Sequence, residues 1–177
     1  MNIPNIITIF RMFLIPVFLY VFYSEIENYL LWSGLILLMA GISDVADGYI
    51  ARKYDLRSKL GAVLDPLADK LMSFTVLSTY AFRGLIPMWI LKLLTVKELL
   101  LIIGGGRLFF NKKNIVIPAN KFGKIATFFF YISIAAIVFK LPDELIGILL
   151  TLTVIINIIS FINYLNIYVN IRSKKIE

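Results

Sequence analysis

The stretch DVADGYIARKYDLRSKLGAVLDPLAD, residues 44–69, decides how this chain is read. It gathers Asp44, Asp47, Asp55, Asp65 and Asp69, five of eleven acidic residues, into one short part of a strongly apolar sequence. On helices, Asp44 and Asp47 stand at i,i+3, about 60° apart, and Asp65 and Asp69 at i,i+4, about 40° apart. Each pair therefore projects from one face of its own helix. The basic turn near residues 53–58 makes these two helices antiparallel neighbours, so the four carboxylates can converge between them.

Around this stretch the composition is that of a membrane protein. The 177 residues are 60% hydrophobic and 16% charged, against about 45–50% and about 25% in a soluble domain. Disorder is excluded by the same figures. At about 20 apolar residues per span, the chain holds roughly six helices and no sizeable extramembrane domain. We expect an all-α integral membrane protein, residues 1–177 as one domain. Its spans fall near 6–23, 29–53, 58–82, 87–109, 119–140 and 143–171. Pro87, Pro118 and Pro142 mark the last three starts, where a missing N–H costs nothing. The N-terminus does not read as a secretory signal, because it lacks a basic leader and Arg11 interrupts its apolar run.

The loops alternate in charge. Glu25 and Glu27 mark the first connection, and Asp143 and Glu144 sit with Lys140 in the fifth. The second carries Arg52, Lys53, Arg57 and Lys59, the fourth region Arg107, Lys112, Lys113, Lys121 and Lys124, and the tail Arg172, Lys174 and Lys175. Basic residues collect on the cytoplasmic side. Both termini and the acidic cluster are thus expected at the cytoplasmic face of the cell membrane, with Arg83 as the one exception.

With neither Cys nor His in the chain, chemistry falls to carboxylates, bases and hydroxyls. Four aspartates at membrane depth cost about 10–14 kcal/mol before compensation, at roughly 2.5–3.5 each. A bound divalent cation removes that cost and their mutual repulsion, and hard oxygen ligands favour Mg²⁺, Mn²⁺ or Ca²⁺. Gly48 and Gly61 would admit a ligand against bare backbone, Pro66 frees a helical carbonyl beside Asp65, and Arg52 can grip a phosphate. Asn2, Asn5, Thr8 and Arg11 form a polar stripe on the first helix. It is either an interfacial face or a polar lining shared with the acids. Metal, glycine and arginine together suit phosphoryl transfer.

Residues 44–69 resemble the defining motif of the CDP-alcohol phosphotransferases, D-x-x-D-G-x-x-A-R, eight residues, then G-x-x-x-D-x-x-x-D. Asp44, Asp47, Gly48, Ala51, Arg52, Gly61, Asp65 and Asp69 meet every fixed position. The opening NIPNIITIFRMFLIPVF and LDPLADK (64–70) are similar to the phosphatidylglycerophosphate synthases and cardiolipin synthases of that family. The resemblance implies a six-helix membrane enzyme, a homodimer, moving a phosphatidyl group from CDP-diacylglycerol to an acceptor hydroxyl with release of CMP. It implies two Mg²⁺ or Mn²⁺ ions on Asp44, Asp47, Asp65 and Asp69, with Asp69 also the catalytic base. It places Gly48, Ala51, Arg52 and Gly61 in the CDP pocket, where Asn5 and Thr8 would join them.

The acceptor is expected to be glycerol 3-phosphate, held by Arg107, Lys121, Lys124 and Thr127 at the anion-favouring start of the fifth helix. Phosphatidylglycerophosphate synthases resemble this chain there with two departures. Lys97-Glu98 stands for their R-E, and Ala126 for the second lysine of their G-K-x-K-T. A cardiolipin-synthase type, with phosphatidylglycerol as acceptor, is the alternative. Gly104–106 either leaves room for a bulky acceptor or ends the fourth helix, and the second reading is preferred. Asn157, Ser160, Asn163, Asn166 and Asn170 on the last helix read as interhelical hydrogen-bonding groups. An ion carrier is a distant alternative, since the acids lie at one side only. Nucleic acid is not an expected partner, because the basic charge follows the membrane topology and its lipids.

Overall fold

The computed structural model describes residues 3–54, 61–111 and 121–173. Within them lie six helices and no strand: α1 Ile3–Tyr23, α2 Tyr29–Lys53, α3 Gly61–Phe82, α4 Met88–Asn111, α5 Lys121–Val138 and α6 Asp143–Ser173. The expected all-helical class and helix number are thus present. The starts expected at 58 and 119, the basic residues Arg57, Lys59, Lys112 and Lys113, Pro118, and the tail lysines lie outside the described residues. Of Arg52, Arg107, Lys121 and Arg172, the backbone alone is described.

Local chemistry sets the ends. Asn28 takes the left-handed conformation, φ 59°, just before α2, a region that asparagine enters more readily than most residues. Gly84, φ 75°, turns the chain after α3, and Leu85 N–H closes that turn on the Tyr80 carbonyl. Pro87 and Pro142 stand just outside α4 and α6, where their carbonyls accept from Ile90 and from Leu145 and Ile146. Asp143 and Glu144 occupy the first turn of α6, the end that favours negative charge. One expectation is corrected. Gly104–106 does not end α4, which runs on to Asn111, a glycine cost of about 1 kcal/mol each being tolerable where the surroundings are apolar.

The chain forms two compact units, residues 1–86 and 87–177. In the first, α1 packs against both α2 and α3. Its core is Phe18, Phe22, Met72, Val76 and Tyr80, all fully buried, with the Phe22 ring against Tyr29 and Tyr80. In the second, α6 packs against α5 and α4. Ser133 and Thr153 share a buried hydrogen bond between α5 and α6, and Lys97 Nζ of α4 donates to Asn157 Oδ1 of α6 at 2.6 Å.

Among the described residues, three segments are long and apolar enough to cross a membrane: Asn5–Tyr23, Tyr29–Ala51 and Asp143–Asn170. Six such spans were expected. Asp65, Asp69 and Lys70 dilute α3, Lys92, Lys97 and Glu98 dilute α4, and the apolar part of α5, Phe122–Val138, is shorter. Large apolar side chains, among them Phe13, Leu38, Val45 and Ile148, lie exposed along these segments. Such faces are unfavourable in water and are satisfied by lipid.

Candidate active site

The polar stripe of α1 points inward. Asn5, Thr8 and Arg11 are 5%, 0% and 1% exposed, so the interfacial reading of this face gives way to the polar lining. Arg11 is the hub. Its Nη1 reaches Asp44 Oδ1 at 2.7 Å and Asp69 Oδ1 at 2.5 Å, and its Nη2 reaches Asp47 Oδ2 at 2.6 Å. Thr8 adds the fourth carboxylate, its hydroxyl donating to Asp65 Oδ1 at 2.6 Å with Asp47 Oδ2 at 3.3 Å. Both aspartate pairs therefore meet on α1. The spacing places each pair on one helix face; the first helix supplies the groups that join them.

The i,i+3 step from Thr8 to Arg11 lets one face of α1 serve α2 and α3 together. Phe18 and Phe22, further along α1, anchor the helix by being fully buried. Asp47 is closed in, with 4% of its side chain exposed, whereas Asp44 and Asp69 keep 44% and 49%. The cluster thus has a buried floor and an open rim. Gly61 opens α3 in a buried position, while Gly48 and Ala51 are half-buried on α2.

The residues expected to hold the acceptor are less gathered. Lys124 and Thr127 are exposed on α5, and the Thr127 hydroxyl donates back to the Gly123 carbonyl. Ala126, by contrast, is buried at 3%. On α4, Lys97 is paired with Glu98 at 2.7 Å as well as with Asn157. Of the α6 series, Asn157 and Ser160 are buried, and Asn166 and Asn170 are exposed.

In the sequence Arg11 was read with the stripe, as interfacial or as lining shared with the acids, and was not among the expected site residues. The signal was the i,i+3,i+6 recurrence of Asn5, Thr8 and Arg11 in an apolar helix. A lone arginine at such depth needs an anionic partner, and five of the eleven acids are clustered at 44–69.

Divalent cations are general to the enzymes that residues 44–69 resemble, and the donors present decide whether such an ion fits. All four are hard carboxylate oxygens, the type that Mg²⁺ and Mn²⁺ prefer. Three already converge on one positive group, with a fourth linked to them through Thr8. Among the described residues, no three acidic side chains stand in ligand geometry with one another as they are, and the Arg11 guanidinium lies between three of them. The donor set fits the ion by its chemistry, and Arg11 stands among three of the four carboxylates.

In this all-helical chain the four aspartates of residues 44–69 are gathered around Arg11 and Thr8 of α1. The chain belongs to the CDP-alcohol phosphatidyltransferase family, whose model matches residues 1–162, across both units. An Aquifex aeolicus protein named CDP-diacylglycerol--glycerol-3-phosphate 3-phosphatidyltransferase is 36% identical over 92% of this chain and 89% of its own length. A Haemophilus influenzae protein of the same name is 49% identical over 40% of this chain and 38% of its own. A Mycobacterium tuberculosis protein provisionally named a cardiolipin synthase is 36% identical over 82% of this chain and 68% of its own.

Proposed function

We propose that this enzyme transfers the phosphatidyl group of CDP-diacylglycerol to the hydroxyl of glycerol 3-phosphate and releases CMP. The observation that supports it is the meeting of Asp44, Asp47, Asp65 and Asp69 around Arg11 and Thr8 of α1. Those four carboxylates would hold Mg²⁺ or Mn²⁺, two ions in all. When bound, the metal neutralises the diphosphate and stabilises the charge left on CMP.

The chain's own residues supply the rest. Asp69, on the open rim, takes the proton of the acceptor hydroxyl, whose oxygen then attacks the lipid-side phosphorus. Asp47, closed in against Arg11, holds its place in the cluster and does not meet the acceptor. Gly48, Ala51, Arg52 and Gly61, with Asn5 and Thr8, bind CDP, and Arg107, Lys121, Lys124 and Thr127 bind the acceptor. All six helices lie in the cell membrane, with both termini and the site at the cytoplasmic side, and the chain works as a homodimer.

One observation favours the second reading, phosphatidylglycerol as acceptor in a cardiolipin-synthase type. Position 126 faces the interior of its unit and holds alanine, where the glycerol 3-phosphate pattern has a lysine. Purified protein with CDP-diacylglycerol, Mg²⁺ or Mn²⁺ and one acceptor at a time separates the two. CMP release with glycerol 3-phosphate alone is the expected result. Release with phosphatidylglycerol alone moves the assignment to the second reading. Release with neither, nor with serine or inositol phosphate, removes both.

A further inference from the structure

We propose that Arg11 is a built-in substitute for the divalent cation: its guanidinium holds Asp44, Asp47 and Asp69 together when metal is absent, and metal competes with it for their oxygens. This rests on the four-aspartate metal site proposed above and adds a residue that sets how tightly the site binds.

The contact pattern carries it. A guanidinium in a fixed structural pair usually presents two parallel N–H groups to both oxygens of one carboxylate. Arg11 instead touches one oxygen from each of three carboxylates, two through the same nitrogen. That is how a metal ion is surrounded, with several anionic residues each giving one oxygen. The remaining edge is unused. Arg11 Nε is buried and has no hydrogen-bond partner among the described residues, in a residue that is 1% exposed. An unmet buried donor is a cost, so the head is held by the acids on one side and not locked from behind.

Charge points the same way. Four carboxylates against one guanidinium leave a formal −3 among these five groups, so Arg11 partly replaces the positive charge that the cluster needs. Asp65 lies outside the Arg11 contacts among the described residues and is held by Thr8 instead. Asp44 and Asp69 are half open at the rim. An incoming cation thus meets carboxylate oxygens before it must displace the guanidinium.

The test is Mn²⁺ binding to the full-length protein in detergent, stripped with chelator and titrated while free Mn²⁺ is read by electron paramagnetic resonance. Arg11→Gln is expected to bind Mn²⁺ more tightly than wild type by about tenfold or more, since a competing charge at contact distance is gone. Its metal-free melting temperature should fall and recover on Mn²⁺ addition. Should Arg11→Gln not survive stripping, Arg11→Lys serves. A single ammonium cannot span three carboxylates through two nitrogens, and this variant too should bind more tightly than wild type. Equal or weaker binding by the variant measured overturns the proposal while leaving the metal site intact. Asp47→Asn is the control: if wild type binds no Mn²⁺, or if this substitution leaves binding unchanged, the metal site itself fails and the proposal with it.

Discussion

Asp44 and Asp69 keep nearly half of their side-chain surface open, while Asp47 between them is closed. In the proposed reaction that division separates their work. A carboxylate at the rim can meet an acceptor hydroxyl; one on the floor can only hold charge. Replacing Asp69 with asparagine should lower CMP release by about 10²–10⁴, the usual range for a lost general base, while CDP-diacylglycerol binding, followed by equilibrium binding of labelled lipid, stays near wild type. Joint loss of binding and activity would move Asp69 wholly into the metal shell. Thr8 is tested by Thr8→Val, which keeps the shape and removes the hydroxyl. Its hydrogen bond to Asp65 goes to a charged group, so a loss of about 1.5–3 kcal/mol is expected in thermal or denaturant unfolding. At this scale the aspartates were legible because spacing on a helix fixes which side chains share a face. Arg11 was not, since its role depends on neighbours such as Asp47 and Asp69, 36 and 58 positions away in sequence. Periodicity along one helix says nothing of what lies opposite.

Among the helices, α1 is the one on which the first unit is organised, because α2 and α3 each pack against it. The expectation for α2 and α3 came from the short turn joining them, which gives direction but does not say that both pack against α1. In the second unit polar side chains do comparable joining. The Ser133–Thr153 contact is buried, and such bonds between membrane helices average about 0.6 kcal/mol in double-mutant cycles. A cycle of Ser133→Ala and Thr153→Val, read by thermal unfolding in detergent, should give a coupling of that order. Strict additivity would show that the contact contributes packing alone. The polar series on α6 was legible as a pattern, yet only its first members, Asn157 and Ser160, are buried. A three-residue repeat drifts around a 3.6-residue helix, so its later members leave the interface. Helix ends were the easier part, since Pro87 and Pro142 act locally. The triple glycine was misread because propensity was weighed without its surroundings.

Across the whole molecule, the apolar composition takes the form of exposed aromatic and aliphatic side chains along the helices rather than a large core, which is the surface a bilayer requires. Arg83, a basic residue that departs from the charge pattern, lies over the Tyr23 ring at 5.1 Å and near Phe22 and Tyr29, so its charge is held by aromatic faces. The absence of cysteine makes the topology directly measurable. A cysteine introduced for Glu27 should react with an impermeant thiol reagent from outside the cell, and one for Tyr54 only after the membrane is opened. The reverse pattern would turn the molecule over. Composition made the membrane class legible from the start, whereas the acceptor was not, because helical spacing does not say how an exposed side chain such as Lys124 meets a substrate.

The most direct measurement is CMP release from CDP-diacylglycerol by the purified enzyme supplied with glycerol 3-phosphate. It should be made with Mg²⁺, after chelation, and with asparagine substituted singly at Asp44, Asp47, Asp65 and Asp69. The expected result is acceptor-dependent release with metal, abolished by chelation and by each of the four substitutions. Release that survives chelation or any two of those substitutions, or metal-dependent ion flux across vesicles without CMP release, would contradict a four-aspartate phosphatidyl-transfer site.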